Sequence, residues 1–196
     1  MKRKGEIYRK TAETEINLSV NLDGKGEADL ISSVPFLDHM LNLLAHHGGL
    51  DMFVRSQGDT QIDDHHLVED LGICLGEAVK QALRDKSDIK RYGSALIPMD
   101  ETLCNAAIDI SGRPYLVYHS ALKDRKIGGF DSSLLREFFK AFTDHAGVTL
   151  HINVLYGRNT HHIAEAIFKA FAHAFKEAVA RDHSQKGVLS TKGRLD

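Results

Sequence analysis

Asp64-His65-His66-Leu67-Val68-Glu69 and Thr160-His161-His162-Ile163-Ala164-Glu165 are two copies of one pattern, HHxxE, and each opens a segment of helical period. Leu71, Leu75, Val79 and Leu83 follow the first copy; Ile167, Phe168, Phe171, Phe175 and Val179 follow the second. A helix turns about 100° per residue, so the first histidine and the glutamate (i, i+4) share a face, while the second histidine points roughly 100° away. Each copy offers two ligands in one direction and a third in another, which suits two metal ions better than one. One histidine pair at a helix start is ordinary polar surface. Two pairs with the same glutamate spacing and the same helix behind them point to metal.

Outward from these copies the repetition continues. The two patterns lie 96 residues apart, and Glu13-Thr14 and Gly24 recur as Glu101-Thr102 and Gly112, each 88 residues later. In the first half, 7–22 alternates with Ile16, Leu18, Val20 and Leu22 on one face, as a half-buried strand does. Asp23-Gly24-Lys25-Gly26 closes it, and 27–32 is expected to complete a hairpin. A helix is expected over about 37–47, ended by Gly48-Gly49, then a strand over 52–56 and the first HHxxE helix to about Asp85. In the second half Ala106, Ile108 and Ile110 alternate up to Ser111-Gly112-Arg113-Pro114. A strand over 115–119, a loop at Gly128-Gly129, a helix over 132–146, a strand over 149–155 and a second HHxxE helix to about His183 follow. Each half is strand, strand, helix, strand, helix. The expectation is an internally duplicated α+β domain spanning 1–196, with pseudo-repeats of about 1–90 and 91–196, sheets with helices on one face, and the two units packed through their helices.

Bulk properties narrow the function. A chain 42% hydrophobic and 27% charged has the composition of a globular protein, and a net charge of -2 argues against general nucleic-acid affinity. No apolar run has the length of a membrane span, and Met1-Lys2-Arg3-Lys4 is not followed by the apolar core of a signal peptide. Cys74 and Cys104 both lie in apolar runs, as buried thiols rather than a disulfide, which fits a cytoplasmic protein. The anomaly is a histidine count of 12, half of it in adjacent pairs.

Duplication supplies further ligand candidates. His39 lies on the first helix of half one, and its counterpart in half two is Glu137; they precede the HHxxE copy of their own half by 26 and 24 residues. Two pseudo-equivalent sites result, one joining His65 and Glu69 with His162 and Glu137, the other joining His161 and Glu165 with His66 and His39. Imidazole and carboxylate without thiolate suit Mn²⁺, Fe²⁺, Co²⁺ or Zn²⁺. Arg91, Arg113, Lys169 and the tail Ser190-Thr191-Lys192-Gly193 are candidates to clamp a phosphate.

Glu13-Thr14, Phe36-Leu37-Asp38-His39-Met40-Leu41, Gly58-Asp59, the two HHxxE copies, Arg91-Tyr92, Met99-Asp100-Glu101, Asp109-Ile110-Ser111-Gly112-Arg113-Pro114, Thr149-Leu150-His151 and Ser190-Thr191-Lys192-Gly193 occur in that order. From about residue 3 to the C-terminus the chain resembles the imidazoleglycerol-phosphate dehydratase family, in its monofunctional form. The resemblance implies a fold like the second domain of ribosomal protein S5 and a homo-oligomeric shell of 24 subunits with sites shared between them. It also implies two Mn²⁺ per subunit and a phosphorylated imidazole substrate, held as an imidazolate whose electrons expel the neighbouring hydroxyl. By the same resemblance Glu13 is the catalytic acid/base. Glu13, His39, His47, His65, Glu69, Arg91, Arg113, His161, Lys169, Ser190, Thr191 and Lys192 contact substrate, with neither nucleic acid nor membrane as partner. Glu137 departs from the family, where many members carry histidine; glutamate remains a ligand, and a harder one. Two other readings compete: a di-metal hydrolase, which lacks an aspartate-bridged ligand set here, and an S5-like nucleic-acid module or metal-storage shell, the module opposed by the acidic balance and the shell by a phosphate clamp it would not need.

Overall fold

A computed structural model describes residues 3–120, 126–182, 184 and 187–195. The first half runs β1 (Lys4–Lys10), β2 (Thr14–Asn21), β3 (Ala28–Ile31), α1 (Pro35–Gly48), β4 (Asp51–Gly58) and α2 (His65–Leu83). The second runs β5 (Tyr92–Met99), β6 (Thr102–Asp109), β7 (Tyr115–His119), the short pair β8 (Lys126–Ile127) and β9 (Phe130–Asp131), then α3 (Leu134–Ala146), β10 (Thr149–Tyr156) and α4 (Thr160–Val179). The sheets are ordered β1-β2-β4-β3 and β5-β6-β10-β7, the same topology twice. The residues expected to carry the second HHxxE helix to His183 leave it at Val179, and His183 itself lies outside the described residues.

Two expectations need correction. The first half carries one strand more than its alternation suggests and the second three more, counting the short β8 and β9, and the strand at 28–31 makes no hairpin with β2. The hairpin is instead β1 with β2, antiparallel from Lys4↔Asn21 to Lys10↔Glu15, and β3 pairs parallel with β4. Asp51 explains the second correction. Its Oδ1 accepts the backbone N–H of Lys25 at 2.7 Å and of Glu27 at 3.3 Å, and Met52 N–H donates to the Glu27 carbonyl at 2.9 Å. These bonds fasten the 23–27 turn to the start of β4 and carry β3 past β2. The turn at Gly128-Gly129, expected as a plain loop, joins the β8–β9 pair.

β1 and β5 escape the alternation because their contact with the helices is made by an absent side chain. A β-carbon at Gly5 would collide with the Ala78 carbonyl oxygen on α2, and one at Gly93 with the Ala174 carbonyl oxygen on α4. Both edge strands therefore lie directly on helix backbone, at positions related by the repeat.

Each sheet buries one face under two helices, α1 and α2 on the first sheet, α3 and α4 on the second. Ile16, Leu18 and Val20 face inward from β2; Cys104, Ala106 and Ile108 from β6. Between the sheets the helices pair across the halves, α1 on α4 and α2 on α3. Phe138, Phe139, Phe142, Phe168, Phe171 and Phe175 are all buried and stack in tilted or edge-on pairs along the α3–α4 side. Both cysteines are buried and free, and burial pushes each thiol up to about 12. No helix among the described residues is long and apolar enough to cross a membrane.

Candidate metal centre

The two HHxxE copies occupy equivalent helix starts. His65 is the first residue of α2 and its N–H donates to Asp63 Oδ1 at 2.8 Å; 96 residues later His161 N–H donates to Asn159 Oδ1 at 2.9 Å. The first histidine of each copy meets its glutamate along the helix, at 3.6 Å for His65–Glu69 and 3.0 Å for His161–Glu165.

At the start of α4 a third side chain joins. His39, from α1, brings Nε2 to 3.3 Å from Glu165 Oε1, the same oxygen that His161 Nε2 approaches. His39, His161 and Glu165 thus present three ligand atoms within 4.8 Å of one another. Glu165 is only 9% exposed. Burial pushes its carboxyl up, but Lys169, with Nζ donating to Oε2 at 2.6 Å, and the two histidines outweigh it and hold Glu165 at about 2. The carboxyl is thus ionised at neutral pH, and the donor set of two imidazoles and a carboxylate fits a first-row divalent ion.

The second histidine of each copy goes elsewhere. His66 Nδ1 lies 3.0 Å from Asp59 Oδ2 and 3.8 Å from Glu13 Oε2, and His162 Nδ1 lies 2.7 Å from Glu101 Oε2. The Asp59 hydrogen bond raises the pKa of His66; that of Glu101 raises His162, while His162 and the Asn159 N–H hold Glu101 down at about 2. Within one chain, then, His66 does not join His39, His161 and Glu165, and His162 does not join His65 and Glu69. Glu137 stands on α3 with Oε1 accepting from Arg136 at 3.0 Å. Glu13, with its side chain 55% exposed, stands beside His66.

The candidate phosphate residues divide in two. Arg91, Arg113, Ser190, Thr191 and Lys192 line an open groove of about 660 Å³ together with Tyr92, Arg194 and Leu195. Arg91 shapes this groove rather than lying open in it. Its guanidinium grips Asp109 through two bonds of 2.7 and 3.1 Å, and Nη1 donates to the Leu189 carbonyl at 2.6 Å, tethering the tail. Arg113, 59% exposed and 3.9 Å from Asp109, offers its charge to the groove. Lys169 is not among the lining residues; it belongs to the Glu165 cluster. His47, on the last turn of α1, has its ring 5.5 Å from that of His173, and burial followed by that neighbour lowers its pKa.

Sequence reasoning gave no role to Asp59, Glu101 or Asp109. For Glu101 a signal existed, since it is the repeat counterpart of Glu13. Asp59 and Asp109 carry no such mark, because what they do depends on which strand ends meet which helix starts.

Fold and site together define a duplicated α+β enzyme with imidazole–carboxylate clusters at paired helix starts. A profile of the imidazoleglycerol-phosphate dehydratase family matches residues 32–175. The chain is 58% identical over 194 residues to the imidazoleglycerol-phosphate dehydratase of Syntrophus aciditrophicus, covering 98% of each, and 57% identical to that of Geobacter sulfurreducens over the full length of both. The crystal structure of the Staphylococcus aureus enzyme superposes with a TM-score of 0.83 at 41% identity, over 91% of this chain and 99% of that one. That of the Pyrococcus furiosus enzyme gives 0.83 at 37% identity, over 96% and 100%. The chain belongs to the imidazoleglycerol-phosphate dehydratase family, and is accordingly a hydro-lyase of histidine biosynthesis.

Proposed function

We propose that the chain converts D-erythro-imidazole glycerol phosphate to imidazole acetol phosphate at centres that hold two divalent cations per subunit, Mn²⁺ being the expected ion. The observation that carries this reading is the convergence of His39, His161 and Glu165 on one point. When bound, such ions would stabilise the substrate's imidazole ring as its anion, so that the C–O bond beside the ring can break.

The chain's own residues supply the rest. Glu13 takes the proton from the carbon next to the departing hydroxyl, which leaves with its bonding pair and a proton as water; the resulting enol then ketonises. Arg113 and Lys192, with the Ser190 and Thr191 hydroxyls, hold the phosphate in the groove that Arg91 shapes, and Lys169 adds charge beside Glu165. Three ligands leave the His39–His161–Glu165 cluster incomplete, the other helix start brings together only His65 and Glu69, and His66 and His162 bond Asp59 and Glu101 instead. This supports sites completed by neighbouring subunits in a large homo-oligomer, for which 24 copies is the expectation. Two buried, free thiols support a cytoplasmic location.

The test is turnover of imidazole glycerol phosphate by purified protein, first stripped of metal and then reloaded with Mn²⁺. Dehydration that is lost on stripping and restored on reloading supports the proposal. Metal-replete protein that leaves the substrate untouched overturns it.

A further inference from the structure

We infer that Asp59 and Glu101 are positioning residues, which hold His66 and His162 by Nδ1 so that each ring presents Nε2 as its metal-ligating nitrogen. The inference rests on the metal reading above. An ionised carboxylate only accepts, so the nitrogen facing it carries the proton and the lone pair is left on the other nitrogen. Histidine ligands commonly owe tautomer and aim to such a partner.

Glu101 is held through its side chain and Asp59 through its backbone, the buried Oδ1 of Asp59 having no hydrogen-bond partner among the described residues. Glu101 Oε1 accepts from the N–H of Arg158 at 3.1 Å and of Asn159 at 2.7 Å, leaving Oε2 for His162. Asp59 N–H donates to the Glu13 carbonyl at 3.1 Å, which fixes the loop that carries its side chain to His66.

The two contacts are alike in geometry but not in ancestry. Gly58 packs on Thr14 and Leu67, and Gly157 on Thr102 and Ile163, so the repeat counterpart of Asp59 is Arg158. The counterpart of Glu101 is Glu13, which stands 3.8 Å from His66 Nδ1 without a close hydrogen bond to it. Each half has thus reached a carboxylate–imidazole bond from a different chain position. A contact merely inherited with the fold would use the same position twice. In the first half Asp59 takes the orienting role, and Glu13 is left able to transfer protons.

The experiment compares wild type, Asp59→Ala and Asp59→Asn as assembled, metal-stripped proteins. Mn²⁺ dissociation constants, stoichiometry at saturation and the melting temperature without metal are measured for each. Asp59→Ala should weaken Mn²⁺ binding by about 10- to 100-fold, with unchanged stoichiometry at saturation and an unchanged metal-free melting temperature. Asp59→Asn, whose amide oxygen still accepts from Nδ1, should recover part of the loss. Unchanged affinity in Asp59→Ala overturns the inference, as does saturation one ion short, which would make Asp59 a ligand. Wild-type protein that binds no divalent ion overturns the metal reading and this inference with it; wild-type binding beside an unaffected variant overturns the inference alone.

Discussion

His39 and Glu165 meet at 3.3 Å across 126 residues of chain, and two turns further along the same helices His47 and His173, also 126 residues apart, bring their rings to 5.5 Å. The α2–α3 pair repeats this register with a separation of 68: Glu77 and His145 lie 3.2 Å apart, and two turns earlier the register sets Glu137 opposite Glu69. Glu137 therefore holds in its half the place that His39 holds in the other. Glu137→Ala is expected to lower bound metal by up to one ion per subunit, and Glu137→His to retain it, as read by elemental analysis of the native assembly. Unchanged metal in Glu137→Ala would remove this residue from the ligand set.

Glu13→Gln tests proton transfer. The isosteric amide cannot accept a proton, so turnover should fall by about 10²- to 10⁴-fold while metal content stays at the wild-type level. Loss of metal instead would reassign Glu13 from catalysis to ligation.

The groove around Arg91 and Arg113 separates binding from architecture. Arg113→Ala removes a charge-assisted hydrogen bond of about 1.5–3 kcal/mol, and KM should rise roughly 10- to 100-fold without a change in melting temperature. Arg91→Ala should raise KM and also lower the melting temperature, because it strands Asp109 and releases the Leu189 carbonyl.

Asp51 makes stability pH-dependent at a distance from the site. The N–H of Lys25, followed by Asn21 and the N–H of Glu27, holds its carboxyl below the usual range. A carboxyl depressed by folding stabilises the fold above its unfolded pKa of about 3.9, and that contribution vanishes as pH falls through the lower folded value. Asp51→Asn should cost about 1–2 kcal/mol at neutral pH. Melting curves of metal-stripped protein should show the gap between wild type and variant closing as pH is lowered towards 3. A gap that does not narrow as pH falls below the unfolded pKa would sink the assignment.

How much of this was legible in the sequence follows from which side chains make the contacts. The helices and β2, β4, β6 and β10 were visible because apolar residues repeat at the right period on a buried face. β1 and β5 touch their helices through Gly5 and Gly93, which leave no apolar trace. The pairing of β3 turned on the Asp51 carboxylate, a residue indistinguishable in sequence from any other surface aspartate. At the site, HHxxE gave the residue types and the shared face of the first histidine and the glutamate. That His66 and His162 turn to Asp59 and Glu101 depends on loops brought alongside the helix starts, which local spacing does not encode.

The pairing of α1 with α4 bears on how the chain is made. Leu37, Met40, Leu41 and Leu44 of α1 are buried, yet their partner helix is translated about 126 residues later. At about 5–20 residues per second, the part of that face that packs on α4 rather than on the first sheet waits roughly 6–25 s for its partner. Neighbouring chains on one messenger emerge during the same interval, each displaying the same uncovered face. Early encounter between copies on the ribosome is thus a hazard that synthesis of this fold must manage before the last helix arrives.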